Sequence, residues 1–246
     1  GLFYWTGFDY RGEPNPFGYP AVSSQFGILD TCGFPKDSFY YLQSWWTDKP
    51  VLHLFPHWNW PGREGQEITV SVNSNADEVE LLLNGENLGK KAVVKNDHLE
   101  WTVAYKPGTL LARSYKAGKL VREAKRETTG TPAALTLAPH QTTLTANGTD
   151  VAVIAVGAND AQGRAVPDAG NTVTFTLSGP GRILGVGNGD PSSHEPDQFL
   201  PGLTLIDAIG WREKIATGSD LDALLAPGLA CDDWPAAFAR DTKART

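Results

Sequence analysis

The chain has 246 residues, a formal net charge of −7, and 41% hydrophobic against 20% charged side chains. That is enough apolar material for one large or two ordinary domains, and it excludes a compositionally disordered chain. The negative charge disfavours a nucleic-acid partner, which selects basic stripes, and no apolar run approaches the roughly 20 residues that a bilayer-spanning helix needs.

The chain opens on GLFYWTGFDYRGEP, with Phe3, Tyr4, Trp5, Phe8 and Tyr10 crowded into its first ten residues. FYWTGFDY reads as a short buried strand closed by the turn residues Arg11-Gly12-Glu13-Pro14. SQFGILD (24–30) is a second short apolar run. PKDSFYYLQSWW follows, in which Asp37 or Ser38 is placed to cap a helix carrying Phe39, Leu42, Trp45 and Trp46 at a 3-4 spacing.

From about residue 67 the period changes to two. Ile68, Val70 and Val72 alternate along one predicted strand. EVELLLNGENLGKKAVV reads as a hairpin about Asn84-Gly85, and Leu99, Trp101, Val103 and Tyr105 alternate along a further strand. GTLLARSYKAGKLVREAKRE reads as a second hairpin about Ala117-Gly118. Short strands at this spacing predict a sandwich of immunoglobulin type. TTGTP (128–132) reads as a linker. ALTLA, TTLTA, VAVIAV, TVTFTLSG and RILGVG then predict a second sandwich ending near 190, with turns at Asn147-Gly148, 159–163 and 188–191. Residues 201–246 cannot close a core alone and read as the start of a further domain.

The absence of methionine and the opening Gly1 agree with a chain cut from a longer reading frame. Two cysteines, Cys32 and Cys231, make neither a disulfide framework nor a metal site and leave the compartment open.

The motifs F-x-W-T-G-F-D-Y-x-G-E-P (Phe3 to Pro14), S-x-F-G-I-x-D-x-x-G-F-P-K-D (Ser24 to Asp37), S-W-W (Ser44 to Trp46), P-H-W-N-W (56–60), V-E-L-L-L-N-G (79–85) and G-V-G-N-G-D-P-S-S-H-E-P-D (185–197) resemble glycoside hydrolase family 2, most of all its bacterial β-galactosidase branch. The resemblance covers about 200 residues in order and thins beyond them. It implies a mainly β chain: residues 1–50 as the last strand and helix of a (β/α)8 barrel, 51–130 and 131–198 as two immunoglobulin-like β-sandwiches, and 199–246 as a truncated further domain. It also implies a fragment: one strand and one helix cannot bury FYWTGF as a closed barrel does, so residues 1–50 are expected to pack poorly alone.

Retaining hydrolysis of a glycoside needs two carboxyl groups about 5–5.5 Å apart. In that family both are glutamates on strands that precede residue 1, so no catalytic residue is expected here. Asp9, Glu13, Asp30 and Asp37 read more simply as braces of loops and of the helix entry than as substitutes. The substrate-binding candidates are Trp5 and Asp9. On composition alone Trp5 is ordinary core; the resemblance makes it the wall of the innermost sugar subsite, where an indole face stacks on the C–H face of a galactose-type ring. Asp9 stands at the C-terminal end of the expected strand, where barrels place ligand-facing groups, in a role at a sugar hydroxyl or behind the residues that contact one. β-Glucuronidases of the family carry Asn-x-Lys before the corresponding glycine, the Lys pairing with the sugar carboxylate. Here Ser24-Gln25-Phe26 precedes Gly27, which leaves a uronide charge uncompensated and favours neutral β-galactosides or related oligosaccharides.

His53 and His57 lie four apart, but the prolines beside them oppose the helix that would aim both at a metal; no metal and no cofactor is expected. Trp58 and Trp60 are expected to pack the first sandwich on the barrel. GVGNGD (185–190) is Gly-rich but precedes no helix, which argues for a tight hairpin over a phosphate loop. Asn147-Gly148-Thr149 reads as a turn. The oligomeric state is left open, a homo-oligomer included. The competing reading is a non-catalytic carbohydrate-binding or spacer module built of β-sandwiches.

Overall fold

The computed structural model describes residues 3–196 and 198. One helix, α1 (Asp37–Trp46), is followed by nine strands: β1 (Leu52–Phe55), β2 (Glu67–Ser74), β3 (Glu78–Leu83), β4 (Glu86–Ala92), β5 (Leu99–Ala104), β6 (Thr109–Lys116), β7 (Lys119–Glu127), β8 (Ala134–Pro139) and β9 (Ile154–Asn159). The described residues are mainly β.

Two antiparallel sheets, β1-β2-β5 and β4-β3-β6-β7, face each other across one core. Period-two alternation builds it. Ile68, Val70 and Val72 of β2 and Leu99, Trp101 and Val103 of β5 point inward from the first sheet. Val79, Leu81 and Leu83 of β3 and Leu110 and Ala112 of β6 meet them from the second. Both expected hairpins form. Asn84 (φ 52) and Gly85 (φ 84) link β3 to β4, and Ala117 (φ 49) and Gly118 (φ 73) link β6 to β7. Two central residues with positive φ give the turn whose twist matches that of paired strands.

Strand β1 and Trp58 correct the expected packing of residues 51–60. LHLF, too short to show a period, pairs with β2 and places Leu54 in the core. Trp58 does not face the N-terminal segment. It is fully buried in the sandwich, donates its indole N–H to the Lys106 carbonyl at 2.9 Å and meets Tyr105 edge-on at 5.2 Å. An indole in a core needs such an acceptor. Trp60 packs at the margin of the same core, stacked on His57 at 4.3 Å.

The helix forms where its spacing places it, but neither expected residue caps it. Lys36 occupies the N-cap position without a side-chain cap bond, and Asp37 opens the first turn. Its carboxylate meets His53 Nε2 at 2.7 Å, and Tyr40 stacks on the same imidazole at 4.0 Å, fixing α1 to β1.

The N-terminal aromatic run is not the buried strand its composition suggests. Phe8 makes one parallel bridge with Leu29. Leu29 N–H donates to Gly7, and Asp9 N–H to Leu29. Phe3 is 98% exposed, Trp5 73% and Phe8 50%. Among the described residues no strand lies along the other edge of this segment, and Phe3, Trp5 and Phe8 are left largely in solvent.

The second unit also departs from expectation. Among the described residues only β8 and β9 form a ladder there, and TTLTA, TVTFTLSG and RILGVG run without one. Its buried cluster is made of small side chains, Ala158, Val166, Ala169 and Val173. Leu135, Leu137, Leu144, Leu177 and Leu184 stay exposed. Alternation selects a face but cannot supply a facing sheet. The expected start of a further domain, from 199 on, lies outside the described residues.

Candidate functional site at the N-terminal segment

Trp5 presents its indole to solvent and donates its N–H to the Tyr10 hydroxyl at 3.3 Å. The Tyr10 ring meets Trp5 edge-on at 6.4 Å and Phe26 at 5.8 Å, and its hydroxyl is held by the Glu13 carboxylate. The Trp5–Thr6 peptide bond is cis. The contact with Tyr10 holds the indole while most of its surface stays in solvent.

Asp9 sits behind this aromatic group and is 7% exposed. One carboxylate oxygen accepts from Gly27 N–H at 2.7 Å and from the Ser24 hydroxyl at 3.4 Å. The other takes the Lys36 ammonium at 2.7 Å, which also donates to the Gln25 carbonyl at 2.8 Å. A buried carboxylate bound by a cation and a backbone N–H has its charge compensated where it stands. The arrangement locks the end of the aromatic segment to residues 24–36. Gly27 has a reason of its own: a Cβ there would come within 2.3 Å of the Asp9 backbone nitrogen.

The remaining acids do not form a pair. Glu13 serves Tyr10 and Asp37 serves His53. Asp30 accepts from the backbone N–H groups of Cys32 and Phe34, both at 2.8 Å. His53 stacks between Tyr40 and Phe55, whereas His57 Nδ1 accepts from Asn59 N–H, so the two imidazoles serve different packings. The Asn147 side chain accepts from Thr149 and Asp150, the turn the sequence implies.

The GVGNGD stretch is not a tight hairpin. It opens a wide loop closed by a bridge between Gly185 and Gln198, and the loop lies against residues 11–31. Sequence reasoning missed this contact, and it missed Lys36 as the partner of Asp9. The two are 27 positions apart, and no local period links them.

With this geometry in place, likeness to known proteins is informative. Residues 135–200 match the family model described as glycoside hydrolase family 2 C-terminal domain 5, and residues 65–122 match a model described only as a domain of unknown function. The chain is 50% identical over 197 residues to a β-galactosidase of Bacteroides ovatus, covering 79% of this chain and 23% of that protein. It is 32% identical over 215 residues to a β-glucuronidase of Formosa agariphila, covering 84% of this chain and 21% of that one. A crystal structure of a β-glycosidase from Bacteroides vulgatus superposes with a TM-score of 0.74 at 40% identity, over 79% of this chain and 25% of that one. A glycosyl hydrolase family 2 member from Bacteroides cellulosilyticus superposes at 0.74 with 32% identity, over 82% and 30%. Fold and sequence together liken the chain to a mainly β region of glycosidases. Residues 135–200 match glycoside hydrolase family 2, the chain is similar to members of that family along most of its length, and it spans about a quarter of the length of the relatives it matches.

Proposed function

We propose that this chain is the C-terminal part of a retaining β-galactosidase-like glycoside hydrolase, in which Trp5 belongs to the wall of the sugar pocket and Asp9 holds that wall in place. On this reading residues 3–50 are the last strand and helix of a (β/α)8 barrel and the rest are immunoglobulin-like braces. The nucleophile and the acid/base, two carboxyl groups about 5–5.5 Å apart, lie on strands outside this chain. The observation that carries the reading is the 73% exposed indole of Trp5, held by Tyr10, in a chain whose relatives are glycosidases. A large apolar face left in solvent and held in one orientation is a surface that awaits a partner.

Neutral galactosides fit the segment better than uronides. Phe26 stands where a uronide-binding lysine is expected, and its ring packs on Tyr10. Lys36, the cation nearby, is spent on Asp9 and on the Gln25 carbonyl. A uronide carboxylate would enter with its charge uncompensated.

The test uses the full-length reading frame that contains this segment. It is expected to hydrolyse a chromogenic β-galactoside well above the matching β-glucuronide, and Trp5→Ala to lower kcat/KM about tenfold or more, the loss of one aromatic stacking contact. This chain alone is expected to show no turnover above buffer. Preferred hydrolysis of the glucuronide, or activity of the isolated chain, would overturn the proposal.

A further inference from the structure

The second unit reaches back to the N-terminal segment through the loop between Gly185 and Gln198, and that loop first fixes its own shape. The Asn188 side chain accepts from Asp190 N–H at 2.9 Å, and the Asp190 carboxylate accepts from the N–H and hydroxyl of Ser192 at 2.7 and 2.6 Å. Asn and Asp side chains that bond the backbone two residues on hold a turn without a ladder. Shaped this way, residues 188–195 present a row of backbone carbonyls.

Those carbonyls meet partners between Arg11 and Thr31. The Val22 and Ser23 N–H groups both donate to the Pro191 carbonyl, at 2.8 and 3.1 Å. The Arg11 guanidinium donates to the carbonyls of Ser193 at 2.8 Å and Glu195 at 3.3 Å. The Thr31 hydroxyl donates to the Asn188 carbonyl at 3.4 Å, and His194 Nε2 meets the Pro20 carbonyl at 2.9 Å. Gly189 sits where the approach is closest. A Cβ there would lie 2.0 Å from Asp30 Oδ2, and Asp30 is held in place because its other carboxylate oxygen accepts from Cys32 and Phe34 N–H, both at 2.8 Å. Gly189 lies outside the left-handed region, so an alanine there would meet Asp30 without backbone strain of its own.

What the loop grips is the ladder that carries Tyr10. Gly12 N–H donates to the Val22 carbonyl and Ser24 N–H to the Tyr10 carbonyl, both at 2.8 Å, about a bridge between Arg11 and Ser23. Tyr10 N–H donates to the Ser24 hydroxyl at 3.0 Å. Two short paired segments are marginal by themselves. Here Pro191 closes the edge at residues 22–23, and Ser193 and Glu195 hold Arg11, the residue next to Tyr10. The Tyr10 hydroxyl in turn accepts the Trp5 indole N–H. We propose that residues 188–195 of the second unit are an intramolecular docking element, and that Arg11 is a positioning residue through which this unit fixes Tyr10 and with it Trp5. The inference rests on the role proposed above for Trp5 and goes beyond it, because it makes a unit remote in sequence responsible for how that indole is held.

The test has two arms. In this chain the amides of Val22 and Ser23 report docking directly, since both bond Pro191. Gly189→Ala, whose methyl meets Asp30, and Arg11→Ala, which loses two charge-assisted bonds, are each expected to speed hydrogen exchange at those two amides about tenfold or more. Unchanged exchange across residues 67–127 shows that each variant is folded. The second arm uses the full-length protein, on whichever chromogenic glycoside it hydrolyses fastest. There Arg11→Ala is expected to lower kcat/KM about fivefold or more, and to cost less than about twofold in a Trp5→Ala background, where the group it positions is gone. A merely structural role would cost as much in either background. Unaltered exchange at Val22 and Ser23, full kcat/KM in Arg11→Ala, or an equal loss with and without Trp5 would overturn the inference. If the preferred glycoside is the glucuronide, the β-galactosidase reading fails while both arms still decide this one.

Discussion

Asp9 and Lys36 are both buried and meet at 2.7 Å, so each depends on the other for its charge to be tolerated. Lys36→Met leaves the carboxylate with Gly27 N–H and the Ser24 hydroxyl alone, and breaking a buried pair from one side costs about 3–5 kcal/mol. Local opening of residues 24–36 by that amount is expected in hydrogen exchange. Asp9→Asn combined with Lys36→Met removes both charges and is expected to recover most of the loss; a double variant as unstable as the single one would show that shape, not charge, holds the site. Trp5 is the opposite case. Its indole is mostly in solvent, so Trp5→Ala is expected to shift the chain's urea midpoint by less than about 0.5 kcal/mol equivalent. A residue that matters to turnover and not to stability is a contact residue.

At the scale of elements, the link between β3–β4 and the start of β6 shows how turn chemistry sets stability. The Asn84 side chain accepts from Thr109 N–H at 2.8 Å and donates to the Pro107 carbonyl at 3.0 Å. Gly108, at φ 137, leaves room for it, since a Cβ there would come within 1.8 Å of Asn84 Oδ1. Gly108→Ala must therefore displace Asn84 and strain its own backbone, for a loss of about 2–3 kcal/mol by equilibrium unfolding.

The turn after β9 is held by Asp160. Burial works against its charge. The Arg164 guanidinium and the N–H groups of Gly130, Arg164 and Gln162 outweigh that burial and hold the carboxyl well below its usual range. A carboxyl depressed in the folded state stabilises it fully above the unfolded value of about 3.9 and loses that contribution as pH falls toward the folded one. The second unit is expected to lose stability below about pH 4, and Asp160→Asn to flatten that acid limb while costing about 3 kcal/mol at neutral pH. An unchanged acid limb would show that other carboxylates dominate it.

The first sandwich was legible element by element because alternation, Asn84-Gly85 and Ala117-Gly118 are local signals that tertiary packing did not override. β1 was not legible, being four residues long with no visible period. In the second unit the alternation was present, but ladder formation depends on a facing sheet that a single strand does not encode. At the candidate site Trp5 could be singled out only through resemblance. The Asp9–Lys36 pair and the docking of residues 188–195 depend on sequence-distant contacts that no spacing announces.

For the whole molecule, the connections matter as much as the units. TTGTP looks like a free linker, yet it is tied on both sides. The Thr128 hydroxyl donates to the Trp58 carbonyl at 2.7 Å, Thr129 N–H to the Asn59 side chain at 2.9 Å, and Gly130 N–H to Asp160 at 3.0 Å. Asn59 in turn donates to Asp168 at 2.7 Å, so one asparagine joins the first sandwich to the second unit. The loop beyond Gly185 then returns to residues 11–31. Stability is nonetheless unequal along this path, because local opening costs least where few apolar side chains are buried. The sandwich core of β2, β3, β5 and β6 holds the fully buried Val70, Val72, Val79, Leu81 and Leu110. Residues 3–8 bury almost nothing, and the buried apolar cluster of the second unit, among the described residues, is made of Ala158, Val166, Ala169 and Val173. Amide exchange is therefore expected to be slowest across 67–127, intermediate at 9–36 where Asp9 and Lys36 lock the chain, and fastest at 3–8. In the full-length protein a closed barrel would pair residues 3–8 on both edges, and their amides should slow toward those of the sandwich. If they exchange as fast there as in the isolated chain, this segment is not a barrel strand, and Trp5 loses its place in a sugar pocket.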